Sequence, residues 1–213
     1  MAERVDIGES LANLSDAQLF DRLFEQRNQP DKELREHAEI LSLVYSFSVE
    51  DSWEKIDELE VLAEIAGSTS DRLFRSVSQL LDRKMVQKRA HWRAILPHVI
   101  ANKLATSALN SIPVKTIRNT FEVQERERLL MSFAHRLGSM HEHPVAKEIV
   151  ETWLQPDGLL GEISSLNEKG LRMLEYIAPV APKILLDQIG AKIDNDDTKD
   201  DYPKISAPAG IRI

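Results

Sequence analysis

The spacing of apolar residues between positions 59 and 97 changes period twice, and that change marks the centre of the chain. Leu59, Leu62 and Ile65 recur at helical spacing and then stop at Ala66 and Gly67, which predicts a tight turn. Ala63, Ala66 and Gly67 are the small residues at which this helix is expected to approach the next one. Ser68, Thr69 and Ser70 offer hydroxyls that can accept from the free amides of a following helix, so a second helix is expected to begin near Ser70. In it Leu73, Val77, Leu80 and Leu81 form the buried stripe, with Phe74 on its edge and Arg72, Arg75, Ser78, Gln79 and Arg83 facing outward. Lys84 ends it. Residues 85–88 and 92–96 then read as short strands around Arg89, Ala90 and His91, a hairpin laid against the helices, with Pro97 as its stop. Helix, turn, helix and hairpin in unbroken succession predict a winged helix, a helix-turn-helix carrying a small β-hairpin.

The flanking pattern is helical. Ser15 is placed to cap a helix holding Leu19, Phe20, Leu23 and Phe24, which Asn28 to Pro30 break. Asp31 caps a helix expected over residues 32–47, with Leu34, Ala38, Leu41, Val44 and Tyr45 on one stripe, and residues 48–52 read as a polar loop before Trp53 and Ile56. Behind Pro97 a helix is expected over residues 98–109, then a short segment with Ile117 and Phe121. Leu129, Leu130, Phe133 and Leu137 define a strong helix over residues 125–137, with Gly138 as its stop. Pro144 opens another through Val145, Ile149, Val150, Trp153 and Leu154, closed by Pro156, Asp157 and Gly158. Two more follow over residues 166–178 and 181–189. From about Val123 onward this is the texture of a helical repeat-like array without a fixed period, whose last pair leaves an apolar face for further helices or a partner to cover. The expected organisation is mainly α: a lead-in and helix over residues 1–30, a winged-helix domain over 31–112, the array over 113–190 and a disordered acidic tail over 191–213.

Composition narrows the partners. With 35 acidic against 27 basic side chains in 213 residues the net charge is -8, which opposes nonspecific attraction to nucleic acid or anionic membrane, so any such contact must be local. There is no cysteine, which excludes thiolate metal sites and disulfides and fits a reducing cytoplasm. The first ten residues are charged and lack the apolar core of a signal peptide, and no apolar run approaches the roughly 20 residues a membrane-spanning helix needs.

Leu80-Leu81, Val86-Gln87, Trp92, Leu96-Pro97-His98 and Leu104-Ala105, set within residues 62–105 and followed by helical pairs, carry a resemblance. The stretch resembles the winged-helix and helical-repeat portion of bacterial STAND-class nucleoside triphosphatases, large signal-transducing ATPases related to the apoptotic and NOD-like receptor switches. In those receptors a histidine seven residues before the small residue of a Leu-Ala pair touches the diphosphate of the bound nucleotide, and His98 precedes Ala105 by that interval. Its neighbours Pro97 and Val99 stand where those receptors usually carry methionine and aspartate. The resemblance therefore implies a nucleotide-sensing role for His98, with ATP or ADP supplied by a partner nucleotide-binding domain. No glycine-rich loop ending in Gly-Lys-Ser or Gly-Lys-Thr occurs in the chain, so it is expected to bind no cofactor alone and not to be an enzyme by itself. A regulatory piece, a truncated relative or a split-gene product fits that pattern.

Between Thr69 and Pro97 stand Arg72, Arg75, Arg83, Lys84, Lys88, Arg89 and Arg93 against only Asp71 and Asp82, a basic patch inside an acidic chain. In a helix-turn-helix such a patch suits the major groove and the phosphates beside it, and it equally suits an acidic protein surface. Trp92 is expected to pack the hairpin onto the helices. Glu125, Arg126, Glu127 and Arg128 read as a solvated charge run. His135, His141 and His143 lack the spacing of a metal site. Two functions follow: a non-catalytic regulatory and protein-interaction module in signalling or defence, or a winged-helix DNA-binding transcriptional regulator.

Overall fold

The computed structural model describes residues 22–26, 29–49 and 57–197. The chain is mainly helical, with a small antiparallel sheet of three strands. The expected helix around Leu19 and Phe20, the segment of Trp53 and Ile56, and residues 198–213 of the expected tail lie outside the described residues.

The described chain opens on a two-stranded hairpin, β1 (Glu25–Gln26) with β2 (Gln29–Pro30). Helix α1 (Lys32–Ser42) follows, and the Asp31 carboxylate accepts the Leu34 amide at 3.1 Å, as its position predicts. The helix ends at Ser42 rather than running to Phe47. Beyond it the Tyr45 amide donates to the Ser132 carbonyl at 3.0 Å, and Phe47–Ser48 become strand β3. Val44 and Phe47 are still fully buried, so the apolar spacing continued past the end of the helix and overstated its length. Ser48, expected in a polar loop, pairs with Trp92 and is buried.

Helix α2 (Glu58–Ile65) is capped by Asp57, and α3 (Ser70–Asp82) by Thr69. Gly67 joins them at φ +59°, and a Cβ built on it would touch nothing. Its use is the left-handed turn, not the close helix approach expected of it; Ala63, 1 % exposed, fills that role. Leu73, Val77 and Leu80 are buried along α3 and Phe74 is not, as the stripe predicts, whereas Leu81, expected in the same stripe, is only partly buried. After Lys84 at φ +62° come β4 (Val86–Arg89) and β5 (Trp92–Ile95), joined by Ala90 and His91. The sheet order is β3-β5-β4, every neighbour antiparallel.

Then come α4 (His98–Ser111), α5 (Val114–Phe121), α6 (Glu127–Gly138), α7 (Pro144–Trp153), α8 (Glu168–Ile177) and α9 (Pro182–Asp197). α9 continues past Gly190, where the sequence led us to expect the ordered chain to end. Buried apolar residues form one contiguous core from Phe24 to Ala181. α1 packs on α4 at its centre, through Leu34, Ala38 and Leu41 on one side and Ala101, Leu104, Ala105 and Ala108 on the other. Phe121 stacks on Phe133 at 4.3 Å, and Phe133 meets Trp153 edge-on at 6.1 Å. Gly138 does end its helix, but for a packing reason. A Cβ there would lie 2.0 Å from the Tyr176 carbonyl oxygen, so only glycine lets α8 come this close to α6. No helix among the described residues is long and apolar enough to cross a membrane.

Candidate docking surface and the His98 pocket

The structure divides the basic patch. Arg72 and Arg75 are exposed on α3 beside Phe74, which is itself 47 % exposed, and Lys84, Lys88 and Arg89 are exposed at the end of α3 and on β4. Arg72 comes within 3.9 Å of Glu33, but both side chains are well exposed and water screens the pair. Arg83 does not belong to that surface. Its guanidinium donates to the Leu23 carbonyl at 2.9 Å and lies 3.9 Å from Asp31, tying the N-terminal hairpin to α3.

Arg93 does not belong to it either. Opposite residues of an antiparallel ladder share a face, and Arg93 stands opposite Lys88 and Phe47 on the face that carries Val86 and Ile95 inward. It is 7 % exposed and donates to the Ala90 and Trp92 carbonyls at 2.8 and 2.9 Å, closing the hairpin turn from beneath. The expected alternation is thus inverted. Trp92 lies half-buried on the outer face, with the Arg128 guanidinium 4.4 Å from its ring centre.

That outer face forms one wall of a cavity of about 230 Å³ lined by Tyr45, Ser46, Gln87, Arg89, Trp92, Ala94 and His98, with Arg93 at its edge. His98 is the first residue of α4, whose N-cap, Pro97, makes no side-chain hydrogen bond to the helix. The exposed Arg89 and the imidazole at the first position of α4 therefore line the same cavity, and cationic and hydrogen-bonding groups of this kind suit an anion. The His98 ring stacks on Tyr45 at 5.1 Å, and its Nε2 is 3.4 Å from the tyrosine hydroxyl. Val99 beside it is 80 % exposed.

Sequence reasoning missed the group that fastens this site to the later helices. Glu58 is 3 % exposed, accepts the Ser48 amide at 2.7 Å and is bridged by both ends of the Arg128 guanidinium, which also donates to the Ser46 carbonyl at 3.0 Å. Arg126 likewise donates inward, to the Thr120 carbonyl at 3.0 Å. The charge run at the start of α6 is therefore only partly solvated. Arg136, also unremarked in the sequence, is fully buried, donating to Asn102 Oδ1 at 2.6 Å, and burial pulls its guanidinium down to about 10, still charged at neutral pH.

Of the three histidines weighed for a metal, His135 lies in α6 against Tyr45 and Tyr176, while His143 Nε2 is 3.2 Å from Asn110 Oδ1. No group of three or more metal-binding side chains occurs among the described residues.

One buried and two partly buried histidines are expected to make the stability depend on pH. Burial holds His37 below the ordinary 6.5, against the pull of Glu33 and Glu36, while its Nδ1 sits 2.7 Å from the Ser76 hydroxyl. Burial, then the charges of Arg136 and His98, lower His135, and burial lowers His143. The unfolded chain takes up these protons first as the pH falls, so the stabilisation is complete above the ordinary value and is lost as the pH drops toward the folded ones. The melting midpoint is expected to fall between about pH 7.5 and about pH 5.5, and less steeply in His37→Gln; a flat profile in the parent chain would contradict this.

Comparison with known proteins finds no matching family model, no matching curated protein and no matching solved structure.

Proposed function

We propose that this chain is a non-catalytic switch module of the cytoplasm: a winged helix that docks on a nucleotide-binding domain, joined to a helical repeat-like array that senses or relays a partner. The order helix, strand, helix, helix, strand, strand, with the first strand pairing to the last, supports the winged-helix reading. The observation that carries the functional reading is the mouth formed by His98, Arg89 and the uncapped start of α4, open to solvent beside the exposed Val99. A nucleotide diphosphate held by a docked domain would meet an imidazole and a guanidinium there. ATP or ADP reaches the chain only with that domain. Phe74, standing exposed between Arg72 and Arg75, suits a protein surface better than a phosphate backbone.

DNA binding is the competing reading, and the exposed Arg72, Arg75, Lys84, Lys88 and Arg89 favour it. The two readings are separated by titrating the chain with a phosphate-loop nucleotide-binding domain of the STAND class supplied in trans, with and without ADP, and with duplex DNA.

A further inference from the structure

Four aromatic rings from four separate segments of the chain stand in one column. His98 of α4 stacks on Tyr45 at 5.1 Å and 15°, Tyr45 on His135 of α6 at 3.8 Å and 17°, and His135 on Tyr176 of α8 at 4.2 Å and 6°. The column starts in the His98 pocket and ends on the far side of α6.

One face of α6 organises it. Ser132, His135 and Gly138 follow one another at intervals of three and so lie along one side of the helix. The Ser132 carbonyl accepts the Tyr45 amide at 3.0 Å and its hydroxyl accepts the Ser46 amide at 2.9 Å, which fixes the backbone of a non-helical stretch. His135 supplies the ring between the two tyrosines. Gly138 admits the Tyr176 carbonyl where a Cβ would lie 2.0 Å away. The Arg136 guanidinium lies 5.6 Å from the Tyr45 ring centre as well. His98, by contrast, is exposed, and an exposed side chain turns between rotamers in nanoseconds unless something holds it. At 3.4 Å its contact with the Tyr45 hydroxyl is long for a hydrogen bond, so the stacked ring supplies most of the hold.

We propose that Tyr45 is the positioning residue for the His98 ring, and that His135 and Tyr176 extend its hold to α8, so that a displacement of α8 against α6 reorients His98. The link is a property of the isolated chain; only its meaning for nucleotide sensing rests on the function proposed above. Burial lowers the His135 proton affinity, which favours the uncharged ring between the two tyrosines.

The test is nuclear magnetic resonance of the 213-residue chain with histidine carbon labelled at Cε1, at neutral pH and without nucleotide. Cross-relaxation from the Tyr45 ring to both the His98 and His135 Cε1 protons is expected in the parent chain, and its absence overturns the proposal. Tyr176→Leu removes the far ring, which is separated from His98 by two others. Gly138→Ala keeps every ring and pushes α8 away. Each is expected to move the His98 signal by more than its line width while exposed His141 stays in place, and Tyr45→Phe, which keeps the ring, to move it least. A cooperatively folded Tyr176→Leu or Gly138→Ala chain with an unmoved His98 signal overturns the link. Should both variants fail to fold, the cross-relaxation decides it. Because neither nucleotide nor partner is present, failure of the docking reading leaves this result untouched, and the reverse holds too.

Discussion

Leu80→Asp is expected to abolish cooperative folding of the first half of the chain. Leu80 is 0 % exposed on the inner side of α3, and its carbonyl accepts the Met85 amide at 2.9 Å where the chain turns into β4. The substitution removes a packed side chain, a loss of about 2–5 kcal/mol for leucine in a core, and puts a carboxylate where water does not reach. Burial of such a group without partners costs several kcal/mol more or forces its protonation. Against a total stability of about 5–15 kcal/mol, the combined loss is comparable to the whole. Thermal melting followed by circular dichroism checks it, and a cooperative transition at an unchanged midpoint would mean that Leu80 is not in the core.

Arg128→Ala has the second largest expected effect. Arg128 comes from α6 and Glu58 from α2, so this ion pair fastens the later helices onto the sheet. Removing the guanidinium takes the Arg128 charge away from the Glu58 carboxylate, 3 % exposed, and breaking a buried pair from one side typically costs about 3–5 kcal/mol. For a chain of this length that lowers the melting midpoint by roughly 6–20 °C. Arg128→Leu combined with Glu58→Leu removes both charges and is expected to recover most of the loss, because a well-packed apolar replacement costs little. If the single substitution leaves the midpoint within about one degree, the pair is not a fastening of the fold.

Local signals were readable and distant ones were not. Thr69, Leu73, Val77 and Leu80 define α3 within fifteen residues, and the cap and the stripe both stand as the spacing requires. The hairpin was also legible, but its facing was not: a period of two fits Trp92 inward as well as Arg93 inward, and only the pairing of Arg93 with Phe47 in β3 decides it. The length of α1 was overstated because a strand that packs against the same core continues the apolar pattern of the helix before it. Arg83 looked outward from its position on α3, yet its partners, Leu23 and Asp31, lie far upstream. The same holds for Arg128 and Glu58, which are separated by 70 positions. His98 was singled out only by the family resemblance, whereas nothing local in the sequence marks Tyr45, His135 and Tyr176 as members of one stack. What joins them is the face of α6, and that exists only once the chain has folded.

On the proposed function, the basic face and His98 meet a protein that holds nucleotide, not DNA. Calorimetric titration of the chain at physiological salt with a STAND-class phosphate-loop domain supplied in trans and loaded with ADP, alongside duplex DNA, separates the two. Saturable association with the ADP-loaded domain is expected, weakened about tenfold by His98→Ala, the loss of roughly one charge-assisted contact, and weakened again by Arg72→Ala with Arg75→Ala, while DNA gives no binding. Sequence-selective binding to duplex at sub-micromolar concentration, falling steeply with salt and lost in the Arg72 and Arg75 double substitution, with no association to the nucleotide-binding domain, would contradict it.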